Sequence, residues 1–247
     1  MRYLIFSDIH GNWEALRAVL EASARKFDQS ICLGDLVGYG ADPNPVVDWA
    51  RANATVVVRG NHDRACSGSE DLEWFNPVAR AAAEWTQRQL TPKNLSYVQE
   101  LPKGPIAVDG FQVMHGSPLD EDEYMVAVAD AGPVFPYLEA PLAFFGHTHL
   151  QGGFEYCGNR VRPIARPRAD KQGEVPLQLD PDCAYLVNPG SVGQPRDGDP
   201  RAAYLLYDPG DRCVVFHRVA YDVTAAQAKI VNAGLPDLLA VRLAIGR

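Results

Sequence analysis

Eight short apolar runs punctuate the chain, each followed by polar or turn-forming residues: YLIF (3–6), SICL (30–33), TVVV (55–58), FQVM (111–114), LAFF (142–145), AYLV (184–187), AYLLY (203–207) and CVVFHRV (213–219). Their length and their β-branched and aromatic content predict strands. Other stretches repeat at helical spacing. Residues 12–25 place Trp13, Leu16, Val19 and Leu20 on one face, with Asn12 as N-cap. Residues 45–52 and 76–90 predict two further helices, and Pro77 suits a first helical turn. Strand, helix, strand, helix, strand over the first 90 residues implies βαβ crossovers and a largely parallel core. Later connections are short and rich in Gly, Pro and Asp, such as DPGD at 208–211, and predict hairpins with an antiparallel contribution.

A chain of 247 residues can bury one large core. With no internal repeat and no long linker, one domain over 1–247 is the economical expectation. One segment differs in texture: 158–182, GNRVRPIARPRADKQGEVPLQLDPD, reads as a Pro- and Arg-rich excursion, a hairpin leaving the core. Arg160, Arg162, Arg166, Arg168 and Lys171 face only Asp170 over 160–171. The plainer reading is a solvated hairpin; the sharper one is a lid over a polyanionic substrate such as a nucleotide. The net charge of −8 argues against binding duplex DNA, which uses a basic face, and leaves a small anionic substrate open. No apolar run approaches bilayer length, and MRYLIFSD turns polar too soon for a signal peptide, so a cytoplasmic protein is expected. The five cysteines, odd in number, scattered and without a CxxC pair, are expected to be small buried hydrophobes in a reducing compartment.

The chemistry lies just past the runs. YLIF leads to Ser7-Asp8-Ile9-His10, SICL to Gly34-Asp35, TVVV to Arg59-Gly60-Asn61-His62-Asp63, FQVM to His115-Gly116, and LAFF to Gly146-His147-Thr148-His149. Five of the six histidines lie there; His217, inside CVVFHRV, is expected to be an ordinary strand residue. In a mainly parallel sheet the carboxyl ends of strands open onto one crevice. The i, i+2 spacing of Asp8/His10 and of His147/His149 keeps each pair on one side of an extended segment, with Thr148 as a spacer pointing away. Two carboxylates, an amide and four histidines, with no thiolate, are too many ligands for one four-coordinate zinc site. They suffice for two ions if a carboxylate bridges. Imidazole plus carboxylate suits Mn, Fe, Zn, Co or Ni.

Taken together as SDIHG, LGD, GNHD, MHG and GHTH, these motifs resemble the pattern D-x-H, G-D, G-N-H-[DE], H and G-H-x-H of the calcineurin-like metallophosphoesterase superfamily. SDIHGN, LGDLVGYG and NPGSVGQPR look most like its small bacterial and archaeal phosphodiesterases. The resemblance implies an α/β (α+β) fold, a four-layer αββα sandwich of mixed sheets with a dinuclear metal site at strand carboxyl ends. By motif position, Asp8, His10, Asp35 and His149 would hold one ion, and Asp35 would bridge to a second completed by Asn61, His115 and His147. His62 would face the substrate as the catalytic histidine, with Asp63 its candidate partner, while Asn12 and the NPGS turn at 188–191 would be substrate-adjacent.

The implied activity is hydrolysis of a phosphodiester, in a small phosphoester or nucleotide-like substrate, by a metal-bridging hydroxide. The alternatives are a phosphomonoesterase or a dinucleoside-polyphosphate hydrolase on the same site. A nuclease acting on DNA ends is disfavoured by the acidic charge. A non-catalytic protein-binding scaffold is disfavoured because every ligand position is filled. One departure bears on the choice: GDLVGYG carries Gly38 and Tyr39 where the superfamily's protein phosphatases carry an Asp that supports the catalytic His and an Arg that grips phosphate. His62 must then find its support elsewhere, and a diester becomes the better expectation.

Overall fold

A computed structural model describes residues 1–73, 75–165 and 174–247. Strands β1 (Tyr3–Phe6), β2 (Gln29–Cys32) and β3 (Val56–Val57) run parallel, linked by helices α1 (Trp13–Ser23) and α2 (Pro43–Asn53). After β3 come α3 (Asn61–Cys66), α4 (Pro77–Gln89) and α5 (Pro92–Gln99). A second sheet is built from β4 (Ile106–Val108), β5 (Phe111–Val113), β6 (Leu142–Phe144), β7 (Gly152–Cys157), β8 (Arg160–Ile164) and β10 (Ala184–Asn188), in the order β4-β5-β6-β10-β7-β8. The short α6 (Val128–Ala131) lies between β5 and β6 in the chain. The first sheet is completed as β3-β2-β1-β11-β12-β9 by β9 (Val175–Gln178), β11 (Ala202–Asp208) and β12 (Cys213–Val219). Helices α7 (Val223–Asn232) and α8 (Asp237–Ile245) close the chain.

The layers follow from how the strands divide their side chains. In β1 all four residues are buried, the mark of a strand covered on both faces. Leu4 and Phe6 pack toward α1 and α2, whereas Tyr3 and Ile5 meet the second sheet. Between the sheets the rings of Tyr3, Phe111, Phe144 and Tyr207 interlock, with Phe111 edge-on to Phe144 at 5.5 Å. On the far face of the second sheet Ala143, Phe145, Phe154 and Leu186 pack against Ala131, Val134 and Phe135. Helix, sheet, sheet, helix is the expected αββα sandwich. Among the described residues no helix is long and apolar enough to cross a membrane.

Two expectations are corrected. Segment 158–182 is not a hairpin of its own: β8 pairs with β7 in one sheet, and β9 pairs with β12 in the other. Of its cations, Arg160 and Arg162 are exposed on β8, with Arg162 3.8 Å from Glu155, while Arg166, Arg168 and Lys171 lie outside the described residues. Cys157 and Cys183 are joined by a disulfide, because the end of β7 meets the turn before β10 with the two Cα atoms 4.7 Å apart. Cys32, Cys66 and Cys213 are free.

Phe144 sits at the centre of the ring cluster with no exposure. Phe144→Ala is expected to cost about 3–5 kcal/mol and to lower the calorimetric Tm by on the order of 10 °C.

Candidate metal centre

The parallel strands β1, β2 and β3, and likewise β5 and β6, end at the same side of the sandwich, and the loops beyond them carry the candidate ligands. Asp8, His10, Asp35 and His149 each offer an atom to one cluster, and Asp35, His115 and His147 to another. The ligand atoms of each cluster lie within 4.8 Å of one another, and all six side chains are buried. Asn61 joins the second cluster, its Oδ1 3.3 Å from His115 Nε2.

Hydrogen bonding fixes which imidazole nitrogen is free. His10 Nδ1 lies 3.1 Å from the Val37 carbonyl, His115 Nδ1 2.8 Å from that of Leu33, and His149 Nδ1 2.6 Å from that of Gln194. His147 reverses the choice, with Nε2 3.0 Å from the Asp122 carbonyl. A carbonyl oxygen only accepts, so each of these nitrogens carries the proton and the other ring nitrogen is a bare lone pair. Those lone pairs then face each other: His10 Nε2 and His149 Nε2 at 3.1 Å, His115 Nε2 and His147 Nδ1 at 3.1 Å. Asp35 Oδ2 stands between the two pairs, 3.6 Å from His10 Nε2 and 3.5 Å from His115 Nε2. Neither Asp8 oxygen nor Asp35 Oδ2 has a hydrogen-bond partner. Opposed lone pairs and orphaned buried carboxylate oxygens repel one another; a divalent cation between them relieves both, so the residues fit metal.

Burial pushes the Asp8 carboxyl up to about 7 and holds Asp35 well above the carboxylate range. It also holds His10 and His149 well below the usual imidazole range and brings His147 down to about 2. Charge is expelled from the site until a cation arrives.

Local backbone geometry aims the ligands. Asp8, His10, Asp35, His147 and His149 all adopt positive φ, between 49° and 65°, where L residues are strained by about 1–3 kcal/mol each. Gly60 lets Asp35 come close: a Cβ there would stand 2.0 Å from Asp35 Oδ1. The NPGS turn acts from behind. Asn188 Nδ2 donates to the Gly146 carbonyl and to Thr148 Oγ1, and Ser191 Oγ donates to the Asp8 carbonyl. Thr148 thus points into the scaffold, as a spacer should. His217 lies on β12, stacked on Tyr204 and apart from both clusters.

Two sequence-based assignments do not hold in the geometry. Asp63 is not the partner of His62. Its Oδ2 accepts from the N–H groups of Asp35 and Gly60, and its Oδ1 from those of Leu36 and Val37, so the carboxylate ties the LGD loop to the start of α3. Asn12 has no amide group to spare for substrate: Oδ1 caps α1 at Ala15 N–H, and Nδ2 donates to the Gly193 carbonyl and to the Tyr221 hydroxyl. His62 is held by rings instead, with Tyr39 at 4.3 Å, His10 at 4.9 Å and Phe75 at 5.4 Å, and its Nδ1 has no partner. Burial, then Arg196, lowers its pKa to about 3, so His62 is neutral at neutral pH.

Three rim residues escaped the sequence reading. Tyr39 shares the positive φ of the ligands, at 62°. The Arg196 guanidinium lies over its ring at 5.9 Å, and Tyr124 packs tilted against His147 at 3.9 Å. Tyr39 between two glycines and Arg196 at the end of NPGSVGQPR were the available signals.

The calcineurin-like phosphoesterase superfamily domain matches residues 1–212. An uncharacterized protein of Methanocaldococcus jannaschii, MJ0912, is 37% identical over 98% of this chain and 97% of its own. The crystal structure of a metallophosphoesterase from Sphaerobacter thermophilus superposes with a TM-score of 0.86 at 40% identity, covering 100% of this chain and 99% of that one. The hypothetical protein PH1004 of Pyrococcus horikoshii OT3 shares the fold, with a TM-score of 0.79 at 19% identity and coverage of 100% and 98%. The chain belongs to the calcineurin-like phosphoesterase superfamily, which supports a hydrolase, and its buried His/Asp clusters are compatible with a divalent-metal site.

Asp63→Ala strands four buried backbone N–H groups and is expected to cost more than about 3 kcal/mol by denaturant unfolding. Metal binding should follow a definite pH sign. Below about pH 7 Asp8 holds a proton that the metal must displace, so affinity falls as pH falls through 7. Each pH unit then costs up to about 1.4 kcal/mol of binding. Differential scanning calorimetry with Mn²⁺ against EDTA should show the metal-induced rise in Tm at pH 8 shrinking by pH 5.5; a rise independent of pH would contradict this.

Proposed function

We propose that the protein hydrolyses phosphodiester bonds with two divalent ions, one held by Asp8, His10, Asp35 and His149, the other by Asp35, Asn61, His115 and His147. The observation that carries the reading is the pairing of bare ring nitrogens into two opposed sets with a single Asp35 oxygen between them. Two sets of lone pairs would suit two cations, and Asp35, near both sets, would be the carboxylate they share. The donor set of imidazole, carboxylate and one amide suits Mn, Fe, Zn, Co or Ni.

Held there, divalent ions would supply an ionisable water near neutral pH and positive charge for the phosphoryl oxygens. The chain's own residues do the rest. The scaffold carbonyls of Val37, Leu33, Gln194 and Asp122 orient the imidazoles. Asp35 Oδ1, accepting the His62 N–H at 2.9 Å, ties the bridging carboxylate to the residue beside the substrate. His62, neutral and lining the cavity at the site mouth, can donate an N–H to the oxygen that leaves. A neutral donor matches a singly charged diester. The phosphomonoesterase reading retains one observation in its favour: Arg196 adds a cation that a dianionic substrate would use.

Metal-loaded protein should cleave bis-p-nitrophenyl phosphate with higher kcat/KM than p-nitrophenyl phosphate; the reverse order would select the monoesterase, and no cleavage with any of the five metals would end the hydrolase reading. His62→Ala is expected to keep its metal content while kcat on the diester falls roughly 10²–10⁴-fold. Unchanged kcat would remove His62 from the chemistry.

A further inference from the structure

At the site mouth stands Arg196, brought in by the loop after NPGS. Its backbone N–H donates to the His149 carbonyl and its guanidinium to Gln194 Oε1 at 3.2 Å. The neighbouring guanidinium groups are neutralised: Arg59 and Arg64 by Glu121, Arg201 by Asp199, Arg218 by Asp197. Arg196 has no ion-pair partner among the described residues. Its charge is felt by ligands of both clusters, by His62, and by the phenols of Tyr39 and Tyr124. A guanidinium bonded to neutral oxygens, those of Gln194, Tyr39 and Tyr124, but to no carboxylate, beside the ligand clusters, is a receptor for an anionic oxygen.

Beside Arg196, which lies over the Tyr39 ring, a cavity of about 270 Å³ opens directly from the ligands, lined by the rings of Tyr39, His62, Phe75, Tyr124 and His147, with Asn76 at its edge. Its acidic members do not repel an anion freely, because Arg64 pairs with both Glu70 and Asp122. Tyr124 keeps half its surface exposed, at 52%, although its ring packs at a tilt against buried His147. An aromatic face left open beside the ligand clusters, in a cavity that Phe75 also lines, suits a flat π-system more than a polyol.

We propose that the substrate is a phosphoester carrying a nucleobase, with a phosphoryl oxygen on Arg196 and the base in the aromatic cavity between Phe75 and Tyr124. This deepens the phosphoesterase reading and rests on it for the reaction, though not for binding. Both parts of the substrate are then reached from one metal centre: Arg196 fixes the phosphoryl group and the rings choose what is attached to it.

Binding to Mn²⁺-loaded protein, by isothermal titration calorimetry, tests this without turnover, using AMP, ribose 5-phosphate and inorganic phosphate as probes. AMP should bind at least roughly tenfold tighter than ribose 5-phosphate, the scale of one base stacked on an aromatic residue. Tyr124→Ala should erase that difference while leaving phosphate affinity unchanged, and Tyr124→Phe should keep it. Arg196→Gln should weaken all three probes together by roughly tenfold. Each variant is first required to show the wild-type Tm rise with Mn²⁺, which certifies fold and metal site. Equal affinity of AMP and ribose 5-phosphate for the wild type, or a preference that survives Tyr124→Ala, would overturn the base site. Phosphate affinity unaltered in Arg196→Gln would overturn the grip. If AMP is bound as expected yet no ester is cleaved with any metal, the hydrolase reading fails and the binding site stands.

Discussion

Opposed lone pairs are the constraint around which this molecule is organised. Four buried imidazoles each give one N–H to a backbone carbonyl and turn the remaining nitrogen toward another imidazole or a carboxylate. Nothing inside the protein neutralises that arrangement, and burial drives the protonation states so that charge is minimised: Asp8 upward, His10, His147 and His149 downward. The folded chain therefore holds a site that is electrostatically incomplete by itself. In the proposed reading a divalent cation at each nitrogen pair would complete it, at the cost of releasing carboxyl protons.

Keeping such a site in place takes stability from elsewhere. Five ligands lie in the left-handed region of backbone space, and a strained residue persists only where its surroundings over-determine it. The surroundings here are the strand ends. Each ligand loop leaves a strand covered by side chains on both faces, so the start of the loop cannot drift. Asp63 then binds four N–H groups from two such loops, and Asn188 and Ser191 brace two more. The ring cluster between the sheets and the polar ties behind the ligands are thus one support, apolar where strands run and hydrogen-bonded where they stop.

The eight strands at apolar runs, the βαβ start, the hairpin at DPGD and the gathering of ligand residues were legible in the sequence, because each depends on residue type at a run or at its end. What depends on direction was not. Asp63 follows His62 directly, and on a helix neighbouring side chains diverge by about 100°, so when His62 faces the cavity Asp63 turns inward to the LGD loop. Asn12 was placed correctly as a cap, and that role uses the oxygen an outward-facing amide would have needed. Strands β7, β8 and β9 lack compact apolar runs; GGFEYC and RVRPI pair at a sheet edge where one side of the strand is exposed. The Cys157–Cys183 pair and the split of segment 158–182 between two sheets come from the same strand-edge pairing, which no local pattern reports. Helices α7 and α8 lie past the last motif and carry their apolar residues against Tyr39 and Ala79, a surface that exists only once the fold has formed.

Charge shows most clearly why global composition was a weak guide to the substrate. The chain carries −8 overall, yet the ligand clusters contribute only the two carboxylates of Asp8 and Asp35, with Arg196, which has no ion-pair partner among the described residues, beside them. Two divalent ions in the proposed positions bring that local sum to +3, counting four positive charges from the ions, one from Arg196 and two negative charges from the carboxylates. The potential at the mouth is then opposite in sign to that of the surface around it. Field lines from a small buried cationic centre are screened within about 8–10 Å at physiological ionic strength, so a long polyanion meets the acidic exterior before it feels the site. A compact anion carrying one or two charges enters the attractive region whole. In the proposed reading the same acidity that argued against duplex DNA would favour small phosphoesters, and the aromatic walls would act on the part of the substrate that carries no charge.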